Sequence, residues 1–211
     1  MTNSSGYIAL DEAKNLIVSA LTDFDEDIGS RAQEILDDPA RHNIVEATTP
    51  KTNMMACRPA GITEADLKSM DMYLPDFAEE YGPNFTTQEN PNDFAVIDFE
   101  YHGTPESVVY LAHELGHAVA DDIQRENGFS FKDFSVYDME QQAYFIQNIV
   151  SEAVGEKYSV NNSELNEDPL KMSFDRASAF VTAGQVVDAC RECPPHVRSS
   201  KVTSFLGLGA R

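Results

Sequence analysis

The residues with the clearest chemistry in this 211-residue chain are His113-Glu114-Leu115-Gly116-His117, an H-E-x-x-H pattern. Two residues four apart on a helix are offset by only about 40° and one turn of rise. Both imidazoles can then reach one divalent ion from the same face. Glu114, about 100° around from His113, stands beside that ion without having to ligate it. Zinc held in this way lowers the pKa of a bound water to about 7, and a neighbouring carboxylate can take the proton. The chemistry implied is hydrolysis, with Glu114 as general base. The bland alternative is a helix whose histidines only satisfy hydrogen bonds. The surroundings weigh against it: Val108, Val109, Leu111, Ala112, Leu115, Ala118 and Val119 crowd the motif. Histidines turned inward among such residues need partners, and a metal ion supplies one.

A catalytic zinc takes three protein ligands and keeps a fourth position open. Two downstream carboxylates qualify by spacing, Glu140 at 23 residues past His117 and Glu152 at 35. Spacing alone admits either. Acids nearer the motif, Asp121 and Asp122, are candidates to brace a histidine from behind.

These residues need a helix over 104–125. Thr104 suits its N-cap, Pro105 its first position, Glu106 and Ser107 its opening turn, and Asn127-Gly128 its close. Before it, Phe94-Ala-Val-Ile-Asp-Phe-Glu-Tyr101 is rich in β-branched and aromatic residues and reads as a strand. Lying beside the helix, that strand would be a natural place for an extended substrate to add. Further helices are expected over 136–158 and 173–190. The first 40 residues carry apolar positions at helical spacing: Leu10, Ala13, Leu16, Ile17, Ala20 and Leu21, then Ile28, Ala32, Ile35 and Leu36, with Pro39 as the stop. Residues 48–62 read as irregular, Thr63 as the cap of a short helix to about Met70, and 82–93 as a loop. The expected fold class is mainly α (α+β), with a small sheet beside the H-E-x-x-H helix.

The stretch from Val96 to His117 resembles the catalytic core of the oligoendopeptidase F branch of the M3 (thimet oligopeptidase-like) metallopeptidases. The shared features are a strand, an aromatic followed by x-Gly-Thr, a valine four residues on, and Leu-Ala-His-Glu-Leu-Gly-His. The likeness covers roughly residues 95 to 155. It implies a zincin-like helical fold of the gluzincin type, a Zn2+ cofactor, and Glu140 rather than Glu152 as third ligand. Glu152 would then support the site from outside or face solvent. The family also carries a large helical region that closes a channel over the site, which these 211 residues do not contain. Its C-terminal His/Tyr segment, which helps stabilise the tetrahedral intermediate, has no counterpart: from 173 onward there is no tyrosine, and only His196. Replacement hydrogen-bond donors are Tyr137, Tyr144 and Tyr158, on or beside the helix of the third ligand, with His102 and Tyr101 before the motif.

Composition narrows the partners. Thirty-six acidic and 15 basic residues give a formal charge of −21. Such a surface repels phosphate backbones, which argues against nucleic acid and favours a peptide or protein substrate of basic character. No apolar run is long enough to span a bilayer. The N-terminus lacks the basic start and unbroken apolar stretch of a secretory signal, so the expectation is a cytoplasmic protein, or an effector exported without a cleaved signal. Cys57, Cys190 and Cys193 do not make a disulfide framework, and Cys190-x-x-Cys193 lacks the second half of a zinc knuckle. Residues 1–190 read as one metallopeptidase-like domain. Residues 191–211, with four basic and one acidic residue, read as a flexible tail. The expected activity is zinc-dependent peptide hydrolysis. The alternative is a zinc-binding regulatory or interaction protein, derived from a metallopeptidase but catalytically weak.

Overall fold

The computed structural model describes residues 7–47, 55–63, 65–66, 89–134, 136–161 and 165. The chain begins with a helical hairpin, α1 (Leu10–Phe24) and α2 (Glu26–Asp37). Ala13, Ile17 and Leu21 repeat at four-residue spacing and are the buried stripe of α1. Asp25 ends α1 and caps α2, its carboxylate accepting the backbone N–H groups of Asp27 at 2.9 Å and Ile28 at 3.1 Å. Three strands follow: β1 (His42–Glu46), β2 (Met55–Arg58) and β3 (Val96–Tyr101). Then come α3 (Pro105–Glu126), a single 3-10 turn at Phe131–Asp133, and α4 (Val136–Tyr158). The fold is mainly helical with one small sheet, as the sequence indicates.

The sheet order is β1-β3-β2, with β3 central, parallel to β1 and antiparallel to β2. The expected strand at 94–101 is therefore present from Val96, but both of its edges are taken. An extended substrate cannot add to β3, which corrects that expectation. Alternation along β3 sends Ile97, Phe99 and Tyr101 into the core. Asp98 and Glu100 turn to the other face and are buried there too. Arg58 secures Asp98 from the neighbouring strand, Nε to Oδ2 at 2.6 Å. β2 also corrects the irregular reading of residues 48–62. Its four residues, Met-Ala-Cys-Arg, include no β-branched side chain, and they are extended because β3 supplies a ladder to join. Asn90, fully buried, fixes the exit from β2 by donating from Nδ2 to the carbonyls of Arg58, Pro59 and Phe94.

α3 starts as its sequence dictates. The Thr104 side chain accepts the Ser107 N–H, Pro105 takes the first turn, and Gly128 follows the C-terminus at φ +79°. The helix lies between the sheet and α4, and buries Val108, Leu111, Ala112, Leu115, Ala118 and Val119. One hydrophobic cluster joins α1, α2, β3, α3 and α4. At Thr63 the expected cap is present, with the Asp66 N–H donating to Thr63 Oγ1 at 3.3 Å. The remainder of that short helix, the expected helix at 173–190 and the tail at 191–211 lie outside the described residues. Among the described residues no helix is long and apolar enough to cross a membrane.

Candidate metal centre

α3 and α4 pack so closely at one point that only a glycine fits. A Cβ placed on Gly116 would lie 2.9 Å from the Ala143 Cα and 3.0 Å from the Ile146 Cβ. The contact falls inside the H-E-x-x-H segment and holds this part of α4 against both histidines.

Glu140, about one turn before Ala143 on α4, meets them. Its Oε2 lies 3.3 Å from His113 Nε2 and its Oε1 lies 3.5 Å from His117 Nε2. The two imidazoles stand nearly perpendicular, with centroids 4.9 Å apart. One ligand atom from each of the three residues lies within 4.8 Å of the others, so His113, His117 and Glu140 form a cluster able to hold a metal ion. Ligands bound at about 2.0 Å in a tetrahedron stand about 3.3 Å apart. The His–Glu separations match that spacing. All three side chains are partly buried, with Glu140 the most open at 31% exposure. Glu152 is exposed on α4, twelve residues or about 18 Å of helix beyond Glu140.

Charge is distributed unevenly over the cluster. Burial opposes ionisation of Glu140, yet the charges on His117 and His113 and the hydrogen bond to His113 take its pKa down to about 2. Burial opposes protonation of His113 as well, but the hydrogen bond to Glu140 and the charges of Glu114 and Glu140 raise its pKa. His117 goes the other way, lowered to about 4 chiefly by burial. These directions favour a proton on His113 over one on His117 or Glu140.

Glu114 is buried on the sheet side of α3, next to β2. Its carboxylate accepts the backbone N–H of Cys57. Burial, helped by the negative charge of Glu140, pushes its pKa up to about 7, against the pull of His113 and the Cys57 amide. A carboxylate in that range is poised to take a proton near neutral pH. The Cys57 thiol is pushed well up by burial and by the charge of Glu114, which leaves it a poor nucleophile.

The other candidates are distributed as follows. Tyr144 packs its ring edgewise on His113, centroids 4.8 Å apart, and is 4% exposed. Tyr158 lies eighteen residues, about 27 Å of helix, past Glu140 and donates to Glu12 at 2.9 Å. The side chain of Tyr137 lies outside the described residues. Tyr101 donates to the Ile8 carbonyl, and His102 lies against the Ala47 carbonyl and Glu100. Asp121 accepts the Ala60 N–H, and Asp122 takes both Arg41 terminal nitrogens at 2.8 Å. Neither aspartate is hydrogen-bonded to a histidine of the motif. That position belongs to Gln147, whose Oε1 lies 2.9 Å from His113 Nδ1. The sequence reading missed it, although a signal existed: Gln147 is seven residues past Glu140, two helical turns along the same face.

Comparison with known protein families, with curated proteins and with solved structures finds no match to this chain.

Proposed function

We propose that this chain is a zinc-dependent metallopeptidase. The observation that carries the reading is the convergence of His113 Nε2, His117 Nε2 and the Glu140 carboxylate at metal-ligand spacing, with the buried Glu114 carboxylate at the next position on the helix. Two imidazoles and one carboxylate are a donor set that suits zinc. When bound, zinc would supply Lewis acidity and a water acidic enough to be deprotonated near neutral pH. The chain itself does the rest. Glu114 takes the proton and passes it to the leaving nitrogen, while the Cys57 amide orients its carboxylate. Tyr144 and the apolar wall of α3 shield the ligands on one side. The likeness of Val96–His117 to the M3 metallopeptidases supports the same assignment, as a resemblance of that segment.

With β3 paired on both edges, the strand nearest the base is β2, and among the described residues nothing pairs with its outer edge. An extended peptide laid there would run past Glu114. The charge of −21 favours a basic peptide or protein. A cytoplasmic peptidase and an exported effector are both compatible with this reading. Metal analysis of purified protein followed by digestion of a peptide library tests it. Stoichiometric zinc with cleavage is expected, and a chain that binds no zinc refutes it.

A second reading, a zinc-binding regulatory protein with weak catalysis, is favoured by one observation. Tyr158, Tyr101 and His102 are all engaged elsewhere, which leaves Tyr144 as the one candidate oxyanion donor beside the ligands among the described side chains. Full zinc occupancy with no turnover of any peptide would select that reading.

A further inference from the structure

We propose that Gln147 is the positioning residue that makes His113 a metal ligand, by holding the ring proton on Nδ1 and so freeing Nε2. The proposal rests on the metal-centre reading above.

A neutral imidazole carries one ring proton, and left to itself in water it favours Nε2. In this fold Nε2 of His113 is the atom that faces Glu140, at 3.3 Å. A proton there would block ligation. Gln147 Oε1 stands behind the ring, 2.9 Å from Nδ1, and an amide oxygen there accepts a hydrogen bond only from a protonated Nδ1. The hydrogen bond made by one ring nitrogen thus selects the state of the other. Gln147 is 1% exposed, so water does not compete for Nδ1 from that side.

Two features of the helix make the arrangement rigid. Glu140 and Gln147 are two turns apart on one face of α4, so the third ligand and the outer partner move as one body. They bracket the tight contact of Gly116 with Ala143. His113 is therefore gripped at both nitrogens by a single neighbouring helix. The outer partner is also neutral. A carboxylate there would accept the same hydrogen bond, with the adjacent imidazole and a bound metal ion as its countercharge. An amide accepts it without needing one.

The test uses the full chain and the variants Gln147→Met, which keeps the volume but cannot accept, and Gln147→Glu, which can. Zinc affinity is measured by competition with a chromophoric chelator. The His113 tautomer is read from ring 15N shifts of metal-free protein, at a pH where those shifts show the imidazole neutral. Gln147→Met is expected to lose about 10- to 100-fold in zinc affinity and to move the ring proton to Nε2, while Gln147→Glu keeps Nδ1 protonated and restores affinity. Wild-type affinity in Gln147→Met overturns the proposal, as does a wild-type ring protonated at Nε2. Should Gln147→Met fail to fold, the tautomers of wild type and Gln147→Glu decide it. A wild-type chain that takes up no zinc overturns the metal-centre reading, and this assignment with it. Zinc bound equally by wild type and Gln147→Met overturns the Gln147 assignment alone.

Discussion

Gly116 faces Ala143 across the α3–α4 interface with no room for a methyl group, and the contact lies between the two histidines of the cluster. Gly116→Ala must push backbone against backbone, because the nearest atom is a Cα and not the end of a flexible side chain. Overpacking of this kind costs about 1–3 kcal/mol. The same displacement moves Glu140 away from His113 and His117. The expected result is a lower melting temperature for the metal-free protein, together with at least ~10-fold weaker zinc binding. A variant that melts lower but binds zinc normally would show that the close contact serves packing alone.

Glu114 and the ligands should separate cleanly under mutation. Glu114→Gln removes the base but no ligand, so zinc content stays stoichiometric while peptide hydrolysis falls by about 10²- to 10⁴-fold. Its amide can still accept the Cys57 N–H, which keeps β2 in place. Cleavage at the wild-type rate by Glu114→Gln would remove the base assignment.

The choice of third ligand has an equally direct check. Glu140→Ala leaves two imidazoles and should abolish zinc retention through gel filtration. Glu152→Ala alters an exposed residue about 18 Å along the helix and should change neither zinc content nor rate. The reverse pattern would show that α4 is registered differently against α3 than Gly116 and Ala143 place it.

Much of this site was legible because helices write their geometry locally. The spacing of His113, Glu114 and His117, the Thr104-Pro105 start and the span of α4 depend on neighbours within a few residues, and all read directly from the sequence. Glu140 could be separated from Glu152 only by resemblance, since the choice depends on how two helices slide along each other. Strands were harder. β1 and β2 are short, and β2 has nothing in its composition to mark it; its conformation is fixed by β3, some forty residues away. The same holds for the central position of β3, which a single strand pattern cannot reveal. Gln147 escaped notice because an uncharged amide on a helix gives no chemical signal until its partner is known. Asp121 and Asp122 drew attention by their charge, but the loop after β2 and Arg41 take them up.

Metal binding should depend on pH in a direction set by the cluster itself. The raised pKa of His113 favours a proton on its ring, beside Glu140, whose own pKa is lowered to about 2. A ligating imidazole must be neutral, so zinc has to displace that proton. Below the raised pKa of His113, apparent affinity should therefore fall by about tenfold per pH unit, with one proton released per ion bound. His117, lowered to about 4, stays neutral through that range and adds a second proton only as pH falls toward 4. Stability of the metal-free protein follows from the same shifts. For His117 the unfolded chain binds the proton more readily, so this contribution is present above about pH 6.5 and is lost as pH falls toward 4. For His113 the folded chain binds it more readily, so that contribution is complete below the unfolded pKa and disappears as pH rises through the raised one. Calorimetric zinc titrations in buffers of different ionisation enthalpy, repeated from about pH 5.5 to 8.5, count the protons released. At the acid end one proton per zinc is expected from His113, and that share declines as pH rises through its raised pKa, while a zinc-bound water would begin to release its own at about pH 7. No proton released at the acid end, where a zinc-bound water keeps its own, would overturn the assignment of a resident proton to His113.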